Sequence, residues 1–256
     1  MNLNKYIYII MILLTYSPTF SQGSAGEKAI YETRFIVDMP TAGVLEKGNF
    51  AIYTNAFYPG GIMLQLDASP FSDFLMGISY SGTNIIGFGA VNWQGIPGVH
   101  LRYRIIDETL NLPAFVLGIN TQGRGDFSSS EKRFQTFSPG VFISASKNYS
   151  WALGSVAFHG GINYSFEPSK NENFPNLYLG IEHSIGKSFA LNFEFNATLN
   201  DENKKYMSNK GLINASLRWS LAKGITLDFQ ARDLLENMTM NKAFNRAVCL
   251  EYISRF

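Results

Sequence analysis

From residue 48 onward, apolar side chains recur at every second position in stretches of roughly ten residues, with turn residues between the stretches. In the clearest of them Phe189, Leu191, Phe193, Phe195, Ala197 and Leu199 share one parity, while Ala190, Asn192, Glu194, Asn196 and Thr198 share the other. A strand sends successive side chains to opposite faces, so such a segment has one apolar and one polar face. The pattern predicts strands over 48–57, 61–69, 73–81, 98–106, 113–121, 140–147, 154–165, 176–184, 188–199, 211–220, 224–233 and 245–256. Ten residues at ~3.3 Å rise and ~40° tilt reach about 25 Å along a membrane normal, the height of an apolar bilayer band. The expected fold is all-β: an antiparallel up-and-down transmembrane β-barrel of about 12 strands.

The connections support this. After the second strand, tight turns (70–72, 107–112, 148–153, 185–187, 221–223) alternate with long loops (82–97, 122–139, 166–175, 200–210, 234–244). A barrel with its turns at the periplasmic end and its loops outside has this rhythm, whereas a Greek-key sandwich has no reason for it. The first hairpin, at Tyr58-Pro59-Gly60, is a short outer loop on this reading. In the last strand Val248, Leu250, Tyr252 and Phe256 take the lipid-facing parity, with Ser254 the weak position. They resemble the terminal signal that barrel-insertion machinery recognises.

The beginning reads as an export signal over 1–21: Lys5, an apolar run of about nine residues, then Thr19-Phe20-Ser21. That run is short of the ~20 residues of a spanning helix. No cysteine follows the cleavage region, which argues against a lipid-anchored lipoprotein. A lead-in over 22–47 joins the leader to a barrel over 48–256. Lys5 is the leader's one charge, so cleavage leaves 20 basic against 20 acidic residues, no footprint for nucleic acid. The 21 Phe and 13 Tyr suit strands and interfacial girdles. Lone Cys249 reads as a small lumen-facing side chain.

With the apolar parity outward, the inner face carries Arg102, Arg104, Arg218, Arg232 and Arg255 against Asp67, Glu182, Glu194, Asp228 and Glu251, with His100 and His159 beside them. A selective pore carries a ring of one sign. A balanced set favours ion pairs across a narrow, occluded lumen, filled by the lead-in or an outer loop. Small inner-face residues (Gly77, Ser79, Gly161, Ser216) leave room for long side chains. No serine in an active-site context accompanies His183, so a hydrolase is disfavoured. Neither metal-ligand spacing nor a nucleotide-binding context occurs, so no cofactor is expected. Asp201-Glu202-Asn203 reads as a solvated loop and 233–237 as a short helical turn. The apolar loop 82–97 reads as folded against the barrel mouth, with a strand continued above the membrane or a contact surface for a partner as the alternatives.

Asp38-Met39-Pro40-Thr41-Ala42-Gly43, ahead of a glycine-led first strand at Gly48, resembles the opening of the YjbH-type outer-membrane proteins. Pro97-Gly98-Val99-His100-Leu101-Arg102-Tyr103-Arg104-Ile105-Ile106, Leu112-Pro113-Ala114-Phe115-Val116-Leu117-Gly118 and Ala145-Ser146-Lys147-Asn148-Tyr149 continue the likeness. The resemblance implies a non-enzymatic role in exopolysaccharide export or envelope assembly, in the outer membrane of a Gram-negative-type bacterium. Outer-membrane lipid, the insertion machinery and polysaccharide or export proteins are the implied partners. A small-solute channel and a structural or adhesive barrel are the alternatives.

Overall fold

The computed structural model describes residues 32–151, 154–168, 174–186, 188–239 and 245–256; the leader and residues 22–31 lie outside the described residues. Twelve strands form the wall: β1 (Asn49–Phe57), β2 (Gly61–Phe71), β3 (Phe74–Thr83), β5 (Gly98–Ile106), β6 (Ala114–Asn120), β9 (Gly140–Trp151), β10 (Gly154–Tyr164), β11 (Asn176–Ile185), β12 (Phe189–Asn196), β13 (Leu212–Ala222), β14 (Ile225–Arg232) and β15 (Asn245–Arg255). Three short strands, β4 (Asn92–Trp93), β7 (Arg124–Ser128) and β8 (Arg133–Thr136), rise from the outer loops. Each wall strand pairs antiparallel with its neighbour, and β1 pairs with β15 from Asn49↔Arg255 to Phe57↔Ala247. The ring therefore closes and leaves no edge.

The expected strands agree with these to within a few residues, with two informative departures. β12 stops at Asn196, short of Leu199, because Thr198 takes φ +49° and its hydroxyl accepts the Gly211 N–H at 2.8 Å. β9 runs on to Trp151, where it pairs with Gly154, four residues past its expected end at 147.

Alternation dictates the layers. Leu64, Leu66, Ile78, Tyr103, Ile143, Phe158, Leu179, Phe193, Phe229 and Leu250 point outward and are exposed. Soluble monomers rarely present an apolar surface of this extent, so lipid is the solvent it fits. Most inward positions are polar or small, with Leu75, Val116, Phe142 and Tyr178 among the larger apolar exceptions. Gly77 shows why: a Cβ there would meet Asp67 Oδ1 at 2.0 Å and Leu66 O at 2.5 Å. Gly77→Leu is expected to cost about 1–3 kcal/mol by overpacking, read as a lower urea midpoint for the heat-modifiable folded band.

Loop 82–97 departs from expectation. It does not fold over the mouth. Instead β4 pairs with Gly82 and Thr83, extending β3 above the wall as a hairpin whose tip residue Phe88 is fully exposed. Residues 234–235 form a turn, and Asp233 accepts the N–H groups of Asn237 and Met238 at 2.8 and 2.7 Å.

Candidate functional site: the plugged lumen

Inside the ring lies the lead-in. Residues 34–45 are buried, although none belongs to a strand. Phe35 and Pro40 form a bridge, Ile36 N–H bonds Met39 O at 2.9 Å, and Thr41 N–H bonds Arg34 O at 3.1 Å. This small loop turns its N–H groups outward in one direction. Val37, Asp38 and Met39 donate to a single oxygen, Glu194 Oε2 on β12, at 3.0, 2.8 and 2.8 Å. Successive backbone N–H groups in such a turn form an anion-binding concavity, and here a wall carboxylate fills it.

The wall grips the segment from most of its circumference. Arg102 on β5 donates to Arg34 O at 2.7 Å and to Gly43 O at 3.3 Å. Arg218 on β13 donates to Phe35 O and Ile36 O at 3.2 and 3.1 Å while it pairs with Glu182 at 2.9 Å and Asp228 at 3.5 Å. On β9, Ser144 donates to Pro40 O at 3.2 Å, and Ser146 accepts the Ala42 N–H at 2.9 Å. The segment returns two charges: Arg34 pairs with Asp67 on β2 and Glu251 on β15, and Asp38 pairs with Arg124 at 3.0 Å and Arg232 at 2.9 Å.

Apolar contacts seal the rest. Ala42, Val44 and Leu45 join Ala51, Leu75, Ala114, Val116, Phe142 and Ile253 in one buried cluster. Ile36 and Met39 pack on Tyr178, and Ile36 lies against Gly180, where a Cβ would meet it at 2.6 Å. Cavities beside the segment are small: one of about 30 Å³ between Arg34, Tyr53, Arg218, Asp228 and Cys249, room for a water or two, and two of about 10 Å³ beside Met63 and Met39. Cys249 is buried, and its sulfur accepts the Tyr53 hydroxyl at 2.9 Å.

Of the residues expected in the lumen, Asp67, His100, Arg102, His159, Glu182, Glu194, Arg218, Asp228 and Arg232 are buried there. His100 Nε2 and His159 Nδ1 bond the hydroxyls of Ser79 and Ser146, both at 2.8 Å. Arg104 and Glu251 are half-buried, Arg104 pairing with Glu32 of the lead-in. Arg255 is the correction: it has inward parity but sits exposed at the barrel rim, because β15 ends there. Val248, Leu250, Tyr252 and Phe256 all lie exposed on the outer surface. His183 is half-buried at outward parity.

Sequence reasoning missed Arg34, Asp38 and Arg124, the partners that complete the network. The signal available was Phe35-Ile36-Val37 flanked by Arg34 and Asp38, an apolar run with opposite charges at its ends. It also misplaced Asp201 and Asn203, which are buried, not solvated: Asp201 forms a two-pronged pair with Arg133 at 3.0 and 2.6 Å. The Arg133 guanidinium is sandwiched between the rings of Phe137 and Tyr206, at 3.9 and 4.0 Å. Next to it Glu167 accepts the N–H groups of Phe134 and Ser138 at 2.7 and 2.6 Å, and burial raises its carboxyl above the usual range against those bonds. The β7–β8 hairpin is thereby fixed over the outer mouth.

No family model and no curated protein matches this chain. Among solved structures it is similar to the NanC porin, at 11% identity and TM-score 0.43 over 81% of this chain and 99% of that one. It is also similar to OmpT, an outer membrane protein of Vibrio cholerae, at 7% identity and TM-score 0.32 over 81% of this chain and 98% of that one. A third likeness is to OmpF of Salmonella typhi in complex with daunomycin, at 7% identity and TM-score 0.26 over 81% and 96% of the two chains. At such identities nothing about cargo transfers, and the barrel architecture rests on this chain's own closed ladder.

Proposed function

We propose that this chain is a non-enzymatic outer-membrane barrel, held shut by its own N-terminal segment, that assists exopolysaccharide export or envelope assembly. The observation that carries the closed state is the lead-in itself: residues 34–45 occupy the lumen and bond wall side chains on β2, β5, β9, β12, β13, β14 and β15. The polysaccharide role is supported by the resemblance of 38–43 to YjbH-type proteins, and this segment is the inner loop of the plug. A barrel closed in this way suits a partner in assembly better than a standing pore.

Two measurements test the reading. The purified whole protein in a planar bilayer is expected to be silent; a large steady current would overturn the closed state. Deleting the gene is expected to lower surface polysaccharide while leaving uptake of small solutes unchanged, and unaltered polysaccharide removes the export role. A gated small-solute channel is the second reading. It is favoured by the plug's attachment through side chains, with none of its backbone groups joined to the strand ladders. Solute uptake falling in the deletion strain with polysaccharide intact selects that alternative.

A further inference from the structure

The hairpin above β3 is unlike the other outer loops. Residues 83–97 carry no charged side chain. Ile86, Phe88, Val91, Trp93 and Ile96 are all exposed. By contrast Glu131, Lys204, Lys205, Glu202 and Lys210 stud the loops elsewhere on the outer rim.

The hairpin is also firmly based. Asn84 and Ile86 donate backbone N–H groups to Pro59 O and Gly60 O at 3.3 and 3.0 Å, tying it to the β1–β2 turn. Thr83 Oγ1 and Asn92 Nδ2 both donate to Asp126 Oδ1, at 2.6 and 2.8 Å, tying it to the β7 strand. Its apolar side chains are therefore displayed on a supported element.

That display continues an apolar surface already described. Met76, Ile78 and Tyr80 face outward along β3, and the Trp93 ring stacks on Tyr80 with centroids 5.7 Å apart. Trp93 also covers Gly82, where a Cβ would strike its ring at 2.8 Å. Paired tyrosine and tryptophan rings are the usual residents of a bilayer interface. The lipid-facing band thus passes into the hairpin through the Tyr80–Trp93 stack.

We propose that residues 84–96 are a membrane anchor, seated in the interfacial layer of the outer leaflet, with lipid as the partner of Ile86, Phe88 and Trp93. The anchor rests on the membrane reading above and adds a contact beyond the spanning strands. Lipid suits the surface because the hairpin is charge-free and continuous with the lipid band, whereas water would have to solvate five large apolar side chains.

The test uses the full-length mature protein in phosphatidylcholine vesicles at high dilution, with a bimane label at Phe88→Cys, Leu64→Cys or Lys205→Cys. Native Cys249 is buried, and the unsubstituted protein supplies the background. Nitroxide lipid is expected to quench the label at position 88 about as strongly as at 64, with iodide quenching only the label at 205. A label at 88 that responds to iodide as the one at 205 does overturns the anchor, and so does one shielded from both quenchers, the mark of contact between copies. If the label at 64 also escapes the nitroxide, the membrane reading itself fails and takes the anchor with it.

Discussion

Deleting residues 32–45 is expected to turn a silent barrel into a conducting one. The sheet does not depend on them: its ring closes from Asn49↔Arg255 onward, and the plug's bonds to the wall run to side chains. The ladder of twelve strands therefore survives the deletion, while the lumen loses Ile36, Val37, Met39, Val44 and Leu45, which pack it today. Water replaces them, and ions follow.

The same deletion predicts the selectivity of the opened path. Among the described residues, and leaving aside Arg133, Asp201 and Asp233 of the outer loops, the plugged lumen holds five buried arginines, Arg34, Arg102, Arg124, Arg218 and Arg232, and five buried carboxylates, Asp38, Asp67, Glu182, Glu194 and Asp228. The plug contributes one of each sign, so its loss leaves four against four. A balanced wall makes no ring of one sign. The reversal potential in a salt gradient should lie near zero. Discrete current steps in a planar bilayer, suppressed by adding back a peptide spanning 32–47, are the expected record. A deletion variant that still shows the heat-modifiable folded band yet passes no current would sink the plug.

The wall was legible in the sequence because its physics is local. Each strand announces itself by parity, and Phe189 to Asn196 did so without help from distant residues. Loop rhythm then gave the order and the closed ring. Gly77 and Gly161 could be read as space makers, and Tyr178 does fill the room at Gly161, where a Cβ would meet its hydroxyl at 2.2 Å.

The plug was only half legible. Balanced lumen charge pointed to occlusion, but it could not say what filled the space. Arg34 and Asp38 find partners on β2, β14, β15 and β7, and a pairing across the ring leaves no period in the chain. The outer cap failed for the same reason: Asp201 is buried only because Arg133, 68 residues away, comes to it. The hairpin 84–96 failed differently. Its hydrophobicity predicts burial in protein, yet Ile86, Phe88 and Ile96 stay exposed, because β4 pairs with β3 and carries the loop beyond the wall.

Asp38→Ala is expected to loosen the plug more than any other single substitution. Asp38 Oδ1 accepts from Arg124 and Arg232 together, so its loss strands two guanidinium groups in a closed lumen. Removing one partner of a buried pair costs about 3–5 kcal/mol, because the charge left behind stays desolvated. Glu194 cannot take over, since the backbone N–H groups of residues 37–39 already occupy one of its oxygens and Asn214 donates to the other at 2.8 Å. Opening the lumen rehydrates both arginines, so the cost falls on the closed state alone. That penalty shifts the closed-to-open ratio by roughly two to three and a half orders of magnitude. Asp38→Asn keeps the shape and loses the charge, and should open nearly as well. Adding Arg232→Met to Asp38→Ala removes one stranded charge and should restore part of the silence, which a merely misfolded variant would not do. Open events at wild-type frequency in Asp38→Ala would show that these ion pairs do not hold the barrel shut.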